Sequence, residues 1–280
     1  MLSIVVDGTA DVPPQLKDTI TTVPLYVVFR GKSYKATEEM LSGEIEHMLA
    51  PGEISTSMPT TNDFMEVFQA LPKPILVVHV SKNISGTYRA IHAAIEELGY
   101  QDEVIPFDTL TAGTGIGLYA WLAYELDRQG KSVDEIVSIL AEMRDNRKEH
   151  TYSVVGDVQF TLNGGRVSGF AGLAARAMRI VITIAPDETG TLKVIGKSFG
   201  RKKALRLLRK HMAEAIENAK RPIVGISHAW CEEDAYLLKD YLHALRPDAK
   251  FFLTTINATL IAHGGKGTIA ASVLDTAPYM

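Results

Sequence analysis

The chain has 280 residues, 46% of them hydrophobic and 22% charged, with a formal net charge of -4; this ordinary globular balance provides no basic field for non-specific nucleic-acid binding. A single cysteine, Cys231, excludes an intrachain disulfide and a cysteine-rich zinc cluster, and fits a reducing, cytoplasmic setting. No apolar run reaches the roughly 18 residues of a membrane span, and Met1 to Val6 enters a β-like run without the lead of a signal peptide.

Ser3 to Val6 reads as a buried strand that ends at Asp7-Gly8-Thr9-Ala10-Asp11, and Thr21 to Phe29 as a second strand region. Phe64, Val67, Phe68 and Leu71 recur at helical spacing, which predicts a helix over Thr61 to Leu71 capped by Thr61 or Asn62. Ile75 to Val80 is a short apolar strand. A helix from about Ser85 follows, with Tyr88, Ile91, Ile95 and Leu98 on one face and Gly99 as its stop. Glu103 to Phe107 predicts a strand, Thr114 to Asp127 an apolar helix, and Ser132 with Glu135 the capping box of another. Strands alternating with helices predict a mostly parallel sheet covered on both faces.

Beyond Thr151 to Asp157, which is strand-like, the pattern changes. Leu162 to Arg166 reads as a loop and is followed by a small-residue helix to about Met178. Ile180 to Ala185 and Leu192 to Lys197 flank Asp187-Glu188-Thr189-Gly190 as a hairpin. A helix over Lys202 to Ala219, a strand over Pro222 to Ser227, another helix, and strands near Phe251 and Ile269 complete the chain. The expected fold class is α/β: an N-terminal domain over 1–155 and a C-terminal domain over 156–280, closely packed.

Three loops have the chemistry of an anion site. Thr56-Ser57-Met58-Pro59-Thr60-Thr61 puts hydroxyls just before a helix, and Ser85-Gly86-Thr87 does so at a strand end. Ligands of open α/β sheets bind beyond the carboxyl ends of strands, where helix N-termini present free N–H groups. Helix capping is the competing reading of both loops. In Ala262-His263-Gly264-Gly265-Lys266-Gly267, glycines surround His263 and form either an anion-binding nest or a tight turn between strands. Arg166, on the turn Gly164-Gly165, suits a carboxylate or a structural ion pair. Arg201, Lys202, Lys203 and Arg206 form a basic cluster that reads as a solvated face or as a docking surface for an acidic partner or anionic membrane. Neither a dinucleotide fingerprint nor a P-loop is present.

Taken in order, Asp7-Gly8-Thr9-Ala10-Asp11, Thr56-Ser57-Met58-Pro59-Thr60, Ser85-Gly86-Thr87-Tyr88, Leu162-Asn163-Gly164-Gly165-Arg166, His228-Ala229 and His263-Gly264-Gly265-Lys266-Gly267 resemble the motifs of the DegV family of bacterial fatty-acid-binding proteins over nearly the whole chain. The chain departs from the family pattern at Gly8, at Lys35-Ala36, at Arg179-Ile180-Val181 and at Gly265-Lys266. The resemblance implies two α/β domains with a long-chain fatty acid buried between them. It implies a carboxylate held by Thr56 or Ser57 and by Ser85, with backbone help from Gly86, and His263 and Arg201 near the carboxylate or the partner surface. It further implies delivery of the acid to a fatty acid kinase, with no cofactor and no catalysis in this chain. The site residues expected are Thr56, Ser57, Thr60, Ser85, Gly86, Arg166, His263 and Gly264. The partners expected are the acid, the kinase and, transiently, a membrane surface, but no nucleic acid. A hydrolase or acyl transferase using Ser85 and His263, and a nucleic-acid-binding or scaffold protein using the basic helix, are the alternatives.

Overall fold

The computed structural model describes residues 2–37, 40, 43, 45–169 and 180–280. The small-residue helix expected before Met178 lies outside them.

Strands β1 (Ser3–Asp7), β2 (Thr21–Val23), β6 (Ile75–His79) and β7 (Val104–Asp108) form a parallel sheet in the order β2-β1-β6-β7. Alternate side chains of a strand face opposite ways, so a sheet covered on both faces needs apolar residues at every position. Accordingly all five residues of β6 are buried. Val5, Ile75 and Val77 face α2 (Thr61–Ala70) and α3 (Thr87–Leu98), against Phe64, Phe68, Ile91 and Ile95. Ile4, Val6, Leu76 and Val78 face α4 (Thr114–Arg128) and α5 (Val133–Asp145).

A second, seven-stranded sheet runs β13-β12-β14-β8-β10-β11-β9. It comprises β8 (Glu149–Val154), β9 (Val167–Ser168), β10 (Ile180–Pro186), β11 (Leu192–Phe199), β12 (Pro222–His228), β13 (Lys250–Thr255) and β14 (Ile269–Asp275). Its pairings are antiparallel except β12 with β13 and β11 with β9. Helices α7 (Arg201–Asn218) and α8 (Glu232–Leu245) cover one face, packing Leu208, Met212, Leu238 and Leu242 on Val224, Ile226 and Val273. The change of sheet falls between Asp145, the end of α5, and Glu149, the start of β8.

Helix α4 lies between the two sheets. Its Leu118, Trp121 and Leu122 join one core with Leu76 and Val78 of the first sheet and Ile223, Phe252 and Leu274 of the second. A helix contacted on all sides must be apolar on all sides, and eleven of its 15 residues are buried. Thr114 of α4 adds a 2.6 Å hydroxyl bond to Ser272 of β14.

The region Thr21 to Phe29 is two strands in two sheets. Val23 ends β2, and after Pro24-Leu25 the strand β3 (Tyr26–Phe29) starts a small antiparallel sheet, ordered β4-β3-β5, with β4 (Lys32–Lys35) and β5 (Ile54–Ser57). This small sheet and α1 (Ile45–Met48) pack Val27, Ile54 and Ile45 against Phe160 of α6 (Val158–Gly164) and Ile261 of α9 (Ala258–Gly264). The segments read as the loops Leu162 to Arg166 and Ala262 to Gly267 therefore begin inside short helices, and each breaks at a glycine of positive φ, Gly165 at 65° and Gly265 at 72°. Glycine occupies that region without a steric cost.

Candidate functional site

A cavity of about 350 Å³ lies where the two halves meet, and its wall includes Thr56, Ser57, Ser85, Gly86, Arg166, His263 and Gly264. The two hydroxyl loops come from different sheets. Thr56 and Ser57 end β5, whereas Ser85 follows the turn Ser81 to Ile84 beyond β6, where Ser85 N–H donates to the Ser81 carbonyl at 3.1 Å. The loops face each other closely: a Cβ on Gly86 would lie 3.0 Å from Met58 Sδ. Gly86 occupies the N-cap position of α3 without a side-chain cap, while Ser85 Oγ accepts from Thr87 N–H at 3.2 Å and lies 2.8 Å from Thr87 Oγ1. Part of the capping reading therefore holds for Ser85.

Thr60 is the N-cap of α2, in place of the expected Thr61 or Asn62. It forms a reciprocal capping box with Asp63 and is not among the residues of the cavity wall. Burial raises the Asp63 carboxyl, but hydrogen bonds from Thr60, Lys35 and Tyr26 outweigh it and hold the group at about 2. Thr60 thus serves the helix and its acidic partner.

Asn257 caps α9 by accepting from Leu260 N–H at 2.9 Å, while its own N–H and side-chain amide donate to buried Asp11 at 2.9 and 2.8 Å. His263 sits in the last turn of α9, with Nε2 2.8 Å from Thr56 Oγ1. Burial, then the nearby Arg166 charge, push His263 down to about 4, so the ring is neutral near pH 7. Gly164 is required beside it: a Cβ there would lie 2.5 Å from His263 Nδ1. Gly264 is equally constrained, because its Cβ would lie 2.5 Å from Thr268 Oγ1. The exposed Arg166 donates through Nη1 to the Gly164 carbonyl at 2.6 Å, which places its guanidinium at the cavity rim.

Apolar residues from both halves complete the wall, among them Leu25, Val80, Ile84, Val155, Ile184, Leu192 and Leu260. Among the described residues no Asp or Glu lines the cavity, and Arg166 is its one permanent charge. Thr151, Ser153, Thr259 and Thr268 also line it and were not anticipated. The signal for the first two was available as strand alternation: Thr151, Ser153 and Val155 turn to the cavity while Tyr152 and Val154 turn to the α7–α8 core.

Ser85 directs its hydroxyl to Thr87, and His263 directs Nε2 to Thr56. A nucleophile–base pair needs a hydrogen bond between its members and a third group to orient the base. The His263 ring is shifted by burial and an arginine, with no carboxylate acting on it.

The basic cluster divides. Arg201 does not line the cavity: Nε donates to Asp234 of α8 at 2.8 Å and Nη1 to the Gly267 carbonyl at 2.6 Å. Lys202, Lys203 and Arg206 are exposed on α7. Lys266 pairs with Glu46 at 2.6 Å, outside the wall. Cys231 is partly buried, donates to the Thr268 carbonyl at 3.4 Å and has a thiol pushed up by burial, the condition of a packed rather than a reactive thiol.

Comparisons with known proteins agree with this architecture. A "Fatty acid-binding protein" of Thermotoga maritima is 28% identical over 283 residues, covering 97% of this chain and 97% of its own. A DegV domain-containing protein of Clostridium perfringens is 32% identical over 226 residues, 79% of this chain and 77% of its own. The solved structure of a DegV family protein from Thermus thermophilus, described by its fatty acid binding, superposes with a TM-score of 0.87 at 25% identity, covering 98% of this chain and 99% of that one. The family model for an uncharacterised protein of the DegV family matches residues 1–276, and the chain belongs to the DegV family.

Proposed function

We propose that the chain binds one long-chain fatty acid in the cavity between its halves, with the carboxylate at the hydroxyl loops and the acyl chain against the apolar wall. The observation that carries this reading is the composition of the wall: paired hydroxyl loops and a rim guanidinium on a surface of apolar side chains and uncharged hydroxyls, without a carboxylate. Thr56, Ser57 and Ser85 supply the hydroxyls, Gly86 a close backbone approach, and Arg166 the balancing charge. The neutral His263 holds Thr56 without adding a charge of its own, and Gly264 lets α9 end tightly beside it. Thr60 acts one step away, by setting the start of α2.

Each buried methylene contributes about 0.8 kcal/mol, so a chain of about fourteen methylenes gains on the order of 11 kcal/mol before the costs of ordering. A carboxylate buried without partners costs several kcal/mol or more, which charge-assisted hydrogen bonds offset. The apolar wall therefore supplies most of the affinity and the loops fix the orientation of the acid.

The bound acid is then a cargo. The family resemblance supports presentation to a fatty acid kinase that forms the acyl-phosphate, with Lys202, Lys203 and Arg206 as the contact surface for that acidic partner and, transiently, for an anionic membrane. Catalysis resides in the partner, in the cytoplasm. The hydrolase reading is disfavoured by the separate hydrogen-bond partners of Ser85 and His263. Mass spectrometry of the purified protein, native and after solvent extraction, tests the reading. One long-chain acid per chain is the expected result; a protein that is empty and refuses added hexadecanoate and octadecenoate overturns it.

A further inference from the structure

Among the described residues, the wall hydroxyls beyond the head-group loops are engaged or enclosed, with one exception. Thr9 bonds Asp7, Thr151 bonds Glu149 and Ser272, and Thr161 and Thr268 donate to the carbonyls of His263 and Gly265, each at 2.9 Å. The Thr259 hydroxyl has no partner but is enclosed by protein. The exception is Ser153, whose hydroxyl has no hydrogen-bond partner although the residue is only partly buried, on the face of β8 that forms the cavity wall. Strand β8 is an inner strand between β14 and β10, and its other face packs on α7 and α8, so the open surface of Ser153 belongs to the cavity. Its cross-strand neighbours, Ala270 of β14 and Ile184 of β10, line the wall as well, and Ala270 ends at its β-carbon, which leaves room beside the hydroxyl.

The strand also sets the level of Ser153 in the cavity. Gly156 N–H donates to the Gly264 carbonyl at 3.1 Å, next to His263 in sequence. Ser153 lies three residues before Gly156 in extended chain, up to about 10 Å away from that level. An acyl chain laid along β8 displaces water from the Ser153 hydroxyl, and an unbranched run of methylenes offers it no replacement. A chain with a hydroxyl at that level accepts from Ser153 or donates to it, so both oxygens are paired as they leave water. From this, and resting on the fatty-acid reading above, we infer that Ser153 forms an oxygen subsite midway along the acyl path, and that the protein favours long-chain acids hydroxylated in mid-chain over those hydroxylated beside the carboxylate.

Competition binding of hexadecanoate and of hexadecanoates hydroxylated at successive chain positions tests this in the full-length protein and in Ser153→Ala. In the wild type one mid-chain isomer is expected to bind about tenfold more tightly than the isomers hydroxylated nearer either end, and in Ser153→Ala that maximum is expected to disappear. Hexadecanoate itself is expected to bind Ser153→Ala at least as tightly as wild type, because the variant removes a hydroxyl that the methylenes leave unpaired. These opposite directions cannot arise from misfolding, which weakens every ligand. A flat positional series in the wild type, or a maximum beside the carboxylate, overturns the subsite whatever the variant does, and leaves the fatty-acid reading standing. A mid-chain maximum that survives in Ser153→Ala overturns the assignment to Ser153. Failure of the wild type to bind hexadecanoate or any hydroxylated form overturns both readings.

Discussion

Thr56 Oγ1 and His263 Nε2 lie 2.8 Å apart although 207 residues separate them in the chain. Thr56 ends a strand of the small sheet, and His263 ends a helix capped by Asn257, which is itself held by Asp11 of the first half. The hydroxyl that faces the cavity is thus held in position by the neighbouring half of the molecule.

Loss of a head-group hydroxyl is expected to weaken acid binding without emptying the cavity. A hydrogen bond to a charged group contributes about 1.5–3 kcal/mol, so Ser85→Ala and Thr56→Val should each raise the Kd for hexadecanoate about tenfold or more. Fluorescence competition or calorimetry reads the change. An unchanged Kd in both variants would remove the carboxylate from these loops.

Gly164→Ala is expected to disturb His263 more than its small size suggests, because the added methyl would lie 2.5 Å from Nδ1 and one side must move. Overpacking of this kind costs about 1–3 kcal/mol. Denaturant unfolding should show that loss, with a weaker acid affinity alongside it. Gly165→Ala meets no neighbouring atom within 4 Å and is expected to cost less, through its φ of 65° alone.

Glu149 provides a test by pH. Burial, opposed by the hydrogen bond from Thr151, raises its carboxyl from 4.5 to about 7. Between those values the folded protein holds the proton and the unfolded chain does not, so stability falls as pH rises through that window. Glu149→Gln should flatten the fall and exceed the wild type at pH 8 by up to about 3 kcal/mol. Urea midpoints from pH 4.5 to 8 measure it; identical pH profiles would refute it.

His263 has the opposite sign. Its pKa is lowered from 6.5 to about 4, so the folded state releases a proton that the unfolded chain keeps. Its contribution is present above pH 6.5 and is lost as pH falls through 4. In a ring-proton NMR titration, His263 should remain neutral at pH 6.

The exposed basic residues of α7 lie away from the cavity wall. Lys202→Glu, Lys203→Glu and Arg206→Glu combined should leave hexadecanoate affinity within about twofold and slow acyl-phosphate formation by a fatty acid kinase, more so at low salt, because exposed charges govern encounter. Equal rates for wild type and variant would place the contact surface elsewhere.

Much of the architecture is written locally. The apolar run Ile75 to His79 is a central strand because it is covered on both faces, and Ser132 with Glu135 forms the capping box that its spacing predicts. The hydroxyl loops and the glycine-flanked His263 also stand out in the chain as clusters of hydrogen-bonding groups at element ends, although the same residue types serve caps and turns. Less local features were not legible. Thr21 to Phe29 is a single apolar stretch in sequence, yet it serves two sheets, because the division depends on partners elsewhere in the chain. Thr60 and Arg201 have the same composition signals as Thr56 and Arg166, but the fold assigns one to a helix cap and the other to an ion pair with Asp234. Capping, periodicity and turn chemistry act over a few residues and can be read in order along the chain. Which hydroxyls share a cavity, which histidine is stripped of water and which serine is left without a partner depend on residues brought together from both halves by burial, and no local pattern encodes that.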